Sequence, residues 1–282
     1  MKIYTSTGGF GSRTFYESAN QLIDVGCKYI ELSSGAHVSD PKKLLTILNS
    51  RSEIMLHNYF PPPQDPFVIN LSSDNPDILS RSVSLVMSAI DISSDLGLKV
   101  YGVHSGFRLN LKVEDLGQIR NNHSLISKKK ANDTFMSTIS KLGRYAAKRN
   151  VFLLIENNIL TKTNFSTFGT NPFLMVDPIE IRNTLESLDC EIGLLLDLAH
   201  LKVSSNTLRF SLQEAMAYLN PLVFGYQASE NDGLEDSGLP FDESAWFMHL
   251  IDTTKNFLTL ELCSSEPSVY RDMELKLSTL LR

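Results

Sequence analysis

The succession of apolar and polar stretches along the chain predicts eight short strands with helices between them. The predicted strands are Lys2–Ser6, Cys27–Ser33, Glu53–His57, Lys99–Val103, Val151–Ile155, Leu194–Leu196, Pro221–Tyr226 and Phe257–Leu260. Several of these runs are continuously apolar, which is typical of parallel strands covered on both faces. Between the runs, apolar residues recur at helical spacing, as at Val83, Val86 and Ile90.

Local signals mark where helices begin and where loops lie. Asp40-Pro41 and Asp177-Pro178 each combine a capping carboxylate with a proline suited to the first helical turn. The polar stretches Ser105–Lys130 and Asn164–Asn171 are predicted to be loops, and the first is long enough to be functional. These signals predict eight strand and helix units in strict alternation.

This alternation predicts an α/β fold, a (β/α)8 TIM barrel in which residues 1–282 form a single domain. The alternative is an open, doubly wound sheet, which would usually carry a glycine-rich phosphate loop after its first strand. The segment Thr7-Gly8-Gly9-Phe10-Gly11 lacks the spacing of that loop. The closed barrel is the expected fold.

Composition narrows the class of protein further. A formal net charge of −6 argues against a nucleic-acid or anionic-membrane surface, so the expected partner is a small molecule. Cys27, Cys190 and Cys263 are far apart, and we expect buried thiols in a reducing cytoplasm. No apolar run is long enough to span a bilayer. We therefore expect a cytoplasmic globular protein.

Polar side chains follow the apolar runs, and these side chains are the candidates for chemistry. They are His57, His104, Glu156, Asp197, Gln227 and Glu261. In a parallel barrel all strand ends open on one face, so these side chains would ring one mouth. Clustered carboxylates repel each other unless a cation lies between them, which implies a divalent metal. His200 could add an imidazole ligand, and a mixed oxygen and nitrogen set suits Mn²⁺, Zn²⁺, Co²⁺ or Mg²⁺.

Taken in order, these strand ends resemble the xylose isomerase-like TIM barrel superfamily, which includes sugar phosphate isomerases and epimerases and the endonuclease IV group. The matching motifs are Leu56-His57, Val103-His104, Ile155-Glu156-Asn157, Asp197-Leu198-Ala199-His200, Gln227-Ala228-Ser229-Glu230-Asn231-Asp232-Gly233 and Leu260-Glu261. The resemblance implies a metal-binding quartet, formed here by Glu156, Asp197, Gln227 and Glu261. Gln227 stands where the family has histidine, and an amide oxygen is a weaker donor to transition metals.

The endonuclease branch of the superfamily implies further ligands. They would fall on His57, His104, His200 and Asp236, with a possible second metal near His57 and His104. The chain has Asp236-Ser237-Gly238 where that branch has Asp-x-His. Because that histidine is absent, a complete trinuclear zinc site is not expected.

For activity, the resemblance implies an isomerase or epimerase of a sugar, sugar phosphate or related polyol, working by proton transfer alpha to a carbonyl through an enediolate. Glu156 and Glu261 would be the paired bases, while His200, His57 and His104 would orient or polarise the substrate. Arg108 is the best candidate for an anionic substrate group. The other predicted substrate contacts are Asn158, Glu230, Tyr59 and Phe10.

Other functions remain open from the sequence. A dehydratase or lyase would use the same metal and base, and a metal-free sugar-binding homologue could have arisen when histidine gave way to Gln227. An apurinic-site endonuclease is less favoured because it needs a basic groove for DNA. We expect a carbohydrate substrate, no nucleic-acid or membrane partner, and a possible homo-oligomer.

Overall fold

The computed structural model describes residues 1–10, 13–115 and 124–281. Eight parallel strands pair in the order β1 to β8, and β8 pairs with β1, so the sheet closes into a barrel. The strands are β1 Lys2–Ser6, β2 Tyr29–Leu32, β3 Glu53–His57, β4 Val100–His104, β5 Phe152–Glu156, β6 Gly193–Asp197, β7 Val223–Ala228 and β8 Phe257–Leu260. The predicted (β/α)8 barrel is confirmed.

Helices surround the barrel. In the described ranges they are α1 Phe15–Asp24, α2 Pro41–Arg51, α3 Pro76–Asp95, α4 Lys128–Ala147, α5 Lys162–Phe168, α6 Pro178–Glu186, α7 Leu198–Leu208, α8 Leu212–Leu219 and α9 Pro267–Leu280. The predicted starts of α2 and α6 are confirmed, because Asp40 and Asp177 accept hydrogen bonds from backbone N–H groups of the first turn. None of these helices is long and apolar enough to cross a membrane.

The predicted strict alternation is wrong at the connection from β7 to β8. Residues 229–256 form turns without an α-helix, whereas two helices each connect β5 to β6 and β6 to β7. Gly233 and Gly238 adopt positive φ angles in this segment, which are incompatible with a right-handed helix. The connection therefore forms a loop that returns over the mouth of the barrel.

Two further local predictions differ from the structure. The first part of the predicted loop Asn164–Asn171 belongs to α5, which buries no side chain and so lacks the apolar stripe that marks a helix in a sequence. Cys27 is buried as predicted, but Cys263 is exposed because it lies in the loop after β8. Gly11 and residues 116–123 of the predicted Ser105–Lys130 loop lie outside the described residues.

The interior of the barrel forms an apolar floor beneath its mouth. Tyr4, Met55, Leu154, Leu195 and Phe257 pack together there as one buried cluster. Alternate residues of a strand point to the same side, so the residues two positions beyond Met55, Leu154 and Leu195 share this face. Those residues are His57, Glu156 and Asp197. Strand periodicity thus places these three candidate side chains directly above the apolar floor.

Candidate active site

The carboxyl end of the barrel brings together all six predicted strand-end residues. His57, His104, Glu156 and Asp197 are the last residues of β3, β4, β5 and β6, Gln227 is the penultimate residue of β7, and Glu261 directly follows β8. His104 is in register with Glu156, and Asp197 with Gln227. Because all strands are parallel, these residues lie at one rim.

Glu156 is the centre of the site. Its Oε2 atom lies 2.7 Å from His57 Nε2 and 3.1 Å from His104 Nε2. Its Oε1 atom lies 3.3 Å from His200 Nδ1 but makes no hydrogen bond to any described residue. The carboxylate is buried, so three imidazoles surround it where water does not reach. One oxygen is therefore held by histidines while the other is left unsatisfied.

Asp197 and His200 are positioned by the junction of β6 and α7. Asp197 ends the strand and also caps the helix, with Oδ1 accepting a hydrogen bond of 2.6 Å from the backbone N–H of His200. His200 Nδ1 lies 2.9 Å from the Asn157 carbonyl oxygen, and Nε2 lies 3.3 Å from Asp236 Oδ2. The Asn157 side chain in turn bonds the backbone of Asp197 at both N and O. These bonds fix the imidazole between Glu156 and Asp236.

Burial and mutual charge separate the pKa values of the carboxyl groups at the mouth. Burial alone would raise the pKa of Glu156, but His104 and His57 outweigh it and hold that pKa below its usual range. Burial, and then the charge of Glu156, raise the pKa of Glu261 well above normal. Burial also raises the pKa of Asp197 to about 7, although His200 opposes this. Carboxyl groups with divergent pKa values at one site are typical of acid and base catalysis.

For two imidazoles, burial disfavours the charged form and the neighbouring carboxylates raise the pKa. Burial would lower the pKa of His57, but Glu31 and Glu156 raise it to about 9. Burial also opposes the charged form of His200, but Asp197 and Asp236 raise its pKa well above normal. The site is therefore a network of carboxylates and imidazoles in which the carboxylates stabilise the charged imidazoles, while burial and like charges disfavour ionisation of Asp197 and Glu261.

Glu31 is a member of this network that the sequence analysis missed. It lies in β2, is fully buried, and accepts hydrogen bonds from Gln227 Nε2 at 3.3 Å and from Thr259 Oγ1 at 2.9 Å. Its Oε1 atom also lies 3.7 Å from His57 Nδ1. Burial is the main cause that raises the pKa of Glu31, and His57 opposes it. A sequence signal existed, since a carboxylate inside an otherwise apolar strand requires a buried partner.

Two groups of side chains in the described residues could hold a metal ion. One consists of His57, His104 and Glu156, and the other of Glu156, Asp197 and His200. Within each group the potential ligand atoms lie within 4.8 Å of one another. Imidazole and carboxylate ligands together suit a divalent ion, and Oε1 of Glu156 has no hydrogen-bond partner among the described residues. The donor chemistry of the mouth therefore fits a divalent cation.

Two members of the predicted metal quartet lie beside these groups. Gln227 presents a buried Oε1 atom that has no hydrogen-bond partner among the described residues. Glu261 is half-buried, and its charge interacts with those of Glu156 and Asp197. Their assignment as ligands stays a prediction.

The loop after β7 explains one departure from the endonuclease pattern. Asp236 approaches His200, but Gly238 adopts a φ of +55°, and a Cβ atom there would lie 2.7 Å from the backbone nitrogen of Cys263. A histidine at position 238 would be strained and would clash with this backbone. The loop as folded therefore leaves no place for that third ligand.

Two of the predicted substrate contacts hold loops together. Arg108 donates hydrogen bonds to the carbonyl oxygens of Ile126 and Asn171. Asn158, which is buried, donates to two carbonyl oxygens of the neighbouring loops. Both side chains already have backbone partners, and their contact with a substrate stays a prediction.

The remaining three predicted substrate contacts are also engaged within the protein. Phe10 is buried and stacks on the ring of Tyr270 at 5.4 Å. The Tyr59 hydroxyl accepts a hydrogen bond from the backbone N–H of a nearby turn, and Glu230 pairs with Lys202. The structure does not gather these side chains around Glu156 by any direct contact among the described residues. Their roles stay predictions.

Comparison with known families assigns the chain to one of them. Residues 20–275 match the model of the xylose isomerase-like TIM barrel family, so the chain belongs to that family, as the strand-end motifs indicated. A search of curated proteins finds no match.

Solved structures show the same fold at low sequence identity. A D-tagatose 3-epimerase-like protein superposes with a TM-score of 0.73 at 18% identity, covering 99% of this chain and 98% of that one. An L-ribulose 3-epimerase gives 0.67 at 15% identity, with coverages of 99% and 96%. A xylose isomerase-like protein from Mycobacterium smegmatis, in complex with magnesium, gives 0.67 at 14% identity, with coverages of 100% and 98%.

Proposed function

We propose that this protein is a divalent-metal-dependent isomerase or epimerase of a sugar, sugar phosphate or related polyol. The observation that carries the proposal is the convergence of Glu156 and Glu261 at one mouth, beside Asp197 and His200. Proton transfer alpha to a carbonyl needs a base and an acid at the same carbon, and two carboxyl groups can supply both. The names of the D-tagatose 3-epimerase-like and L-ribulose 3-epimerase neighbours add support.

The residues that would hold the ion are Glu156 and Asp197, with Gln227 and Glu261 as the further predicted ligands. A bound Mn²⁺, Zn²⁺, Co²⁺ or Mg²⁺ would polarise the substrate carbonyl and stabilise the negative charge of an enediolate. The Mycobacterium smegmatis neighbour is in complex with magnesium, which adds support for a divalent ion. His57, His104 and Glu156 would hold a second ion if two are bound.

The side chains at the mouth would have different roles in proton transfer. His57 and His104 hold Oε2 of Glu156, so Oε1 is the atom free to take a proton from the substrate carbon. Glu261, which follows β8 three strands away from β5 in the barrel, would return a proton to that carbon. His200, oriented by Asn157 and Asp236, would hold a substrate oxygen.

The test is hydrogen exchange at carbon. A panel of free and phosphorylated ketopentoses and ketohexoses is incubated in D₂O with the Mn²⁺-loaded enzyme, and deuterium at the carbon beside the carbonyl is followed by NMR. We expect Glu156→Gln and Glu261→Gln each to slow exchange and epimerisation by about 10²–10⁴-fold, as for loss of a general acid or base.

Glu53→Gln is the matched control for this test. Its carboxylate also belongs to the barrel, but it lies at the opposite end, where it pairs with Lys2 and Tyr4. Exchange should be unchanged in this variant. Undiminished exchange in Glu156→Gln would remove that residue from the mechanism. A conjugated, ultraviolet-absorbing product would instead identify a dehydratase, and sugar binding without exchange or metal would identify a binding protein.

An apurinic-site endonuclease is less well supported. Its clustered metal site would need the ligand that Gly238 replaces, and the backbone there leaves no room for a larger side chain. The net charge of −6 also disfavours a DNA surface.

A further inference from the structure

We propose that Glu31 is a positioning residue that determines which atoms of His57 and Gln227 face the site. A single carboxylate would thereby orient one ligand from each of the two candidate metal positions. This inference rests on the proposed metal-dependent function, and it concerns a residue that the strand-end pattern does not include.

The position of Glu31 in the barrel allows this role. It is the third residue of β2, in register with Ser6 of β1 and Met55 of β3, and its exposed fraction is 0%. Its side chain crosses the barrel interior to reach β7 and β8, where Gln227 and Thr259 lie in register with each other. Glu31 therefore connects strands that do not pair directly with β2.

Three potential donors face the Glu31 carboxylate. The Thr259 hydroxyl donates to Oε2 at 2.9 Å, and the Gln227 amide nitrogen donates to Oε1 at 3.3 Å. His57 Nδ1 lies 3.7 Å from the same Oε1 and has no hydrogen-bond partner among the described residues. The two carboxyl oxygens together have about four lone-pair sites, so the group has enough acceptor sites for all three.

The contact with Gln227 fixes which end of that amide is available. Because Nε2 donates to Glu31, the carbonyl Oε1 is the atom left over, and it is buried without a partner in the described structure. An amide in this orientation presents an oxygen, the kind of donor that Mg²⁺ and Mn²⁺ prefer. Without Glu31, the amide nitrogen would lose the acceptor that holds it in this orientation.

The contact between Glu31 and His57 would likewise determine which nitrogen of the imidazole faces the site. Nε2 lies 2.7 Å from Glu156 Oε2, whereas Nδ1 faces Glu31. When Nε2 donates its lone pair to an ion, the ring proton must reside on Nδ1, and Glu31 is the carboxylate placed to accept it. A carboxylate behind a ligating histidine commonly fixes its tautomer and ring orientation.

A purely structural role would not call for this residue. The layer beneath the mouth is apolar, and an aliphatic side chain in β2 would extend it without the cost of burying a charge. Replacing a buried, paired carboxylate by packed apolar groups is often neutral or stabilising. The presence of Glu31 is therefore better explained by what it orients.

The main test is Glu31→Gln, a substitution of nearly the same shape. Glutamine offers one acceptor oxygen and two N–H donors, so at least one of the three facing donors loses its partner. We expect the Mn²⁺ affinity, measured by competition with a chelator, to fall about 10–100-fold, as for loss of other groups behind metal ligands. Glu53→Gln, at the opposite end of the barrel, should stay within about twofold. Unchanged Mn²⁺ affinity in Glu31→Gln would overturn the proposal.

A second measurement on the wild-type protein does not depend on the variant folding. In the protein loaded with Zn²⁺, which is diamagnetic, long-range ¹⁵N NMR should find His57 protonated at Nδ1. An Nδ1 atom without a proton would contradict the proposal.

Failure of the proposed function can be told apart from failure of this inference. If the wild-type protein binds no divalent ion, metal dependence fails, and the crystal structure of Glu31→Gln decides on Glu31 alone. Rotation of the Gln227 amide or the His57 ring would then support a positioning role. Both side chains in their present orientations would overturn it.

Discussion

At the scale of single residues, Gly102 of β4 allows the His57 ring to pack closely against the strand. A Cβ atom at this position of β4 would lie 2.8 Å from Cδ2 of His57 and 3.1 Å from Cδ2 of Leu195. The imidazole therefore occupies the space that any other residue would fill. The reason for glycine here is close packing. Its φ is not in the left-handed region, so the backbone conformation does not require it.

We expect Gly102→Ala to displace the His57 ring. Overpacking of this kind costs about 1–3 kcal/mol, and chemical denaturation would measure the loss in the free energy of unfolding. Activity should fall as well, because Glu156 would lose its 2.7 Å contact with the imidazole. Unchanged stability and activity would show that the ring moves aside without consequence.

The three cysteines differ in reactivity because they differ in exposure. Burial, with a contribution from Glu274, raises the pKa of Cys27 to about 12, so little thiolate forms there at pH 8. Cys263 is exposed, although burial of part of its side chain and Asp236 raise its pKa somewhat. In the folded protein, iodoacetamide should label Cys263 much faster than Cys27, as peptide mass spectrometry would show. Equal labelling would indicate that the barrel opens readily near β2.

At the scale of elements, the junction of β6 and α7 contains a residue that is both a helix cap and a candidate metal ligand. Asp197 is at once the last strand residue, the helix cap and a candidate ligand. The sequence pattern predicted the strand end and the nearby His200, but not a helix beginning at Leu198. The apolar and polar residues of α7 are mixed, and its buried positions include Ser204 and Ser205, so its helical period was weak.

Helix capping away from the site offers a prediction about stability alone. Asp177 Oδ1 accepts hydrogen bonds from two backbone N–H groups at the start of α6. Asp177→Ala should lower the free energy of unfolding by about 1 kcal/mol and leave activity unchanged. Asp133→Ala, which removes an exposed carboxylate within α4, should cost less than about 0.5 kcal/mol. Equal effects in urea denaturation would argue against a specific cap.

At the scale of the whole molecule, a bound ion should stabilise the barrel, because ligands from several strands are present only when the barrel is closed. An ion at 100 times its dissociation constant adds about 2.7 kcal/mol to the free energy of unfolding. We expect Mn²⁺ to raise the Tm of chelator-treated protein, and Glu156→Gln to reduce the shift strongly, since Glu156 belongs to both candidate groups. No shift in the wild-type protein would contradict metal dependence.

The sequence allowed much of this architecture to be predicted because the relevant signals are local. An apolar run predicts a covered strand, an Asp-Pro pair predicts a helix start, and parallel strands imply one common mouth. These rules identified His57, Glu156 and Asp197 as members of a site. They missed Glu31, because it lies within a strand, and α5, because that helix buries no side chain.

What the sequence determined by itself was the order of the eight strands and the polar residues at their ends, since both follow from patterns over a few neighbouring positions. Only the tertiary structure decided which of those residues meet. Glu156 contacts an imidazole 99 residues away, and Glu31 accepts a hydrogen bond from an amide 196 residues away. Such contacts depend on barrel closure and strand register, which bring distant side chains into one buried layer where most polar groups find a partner.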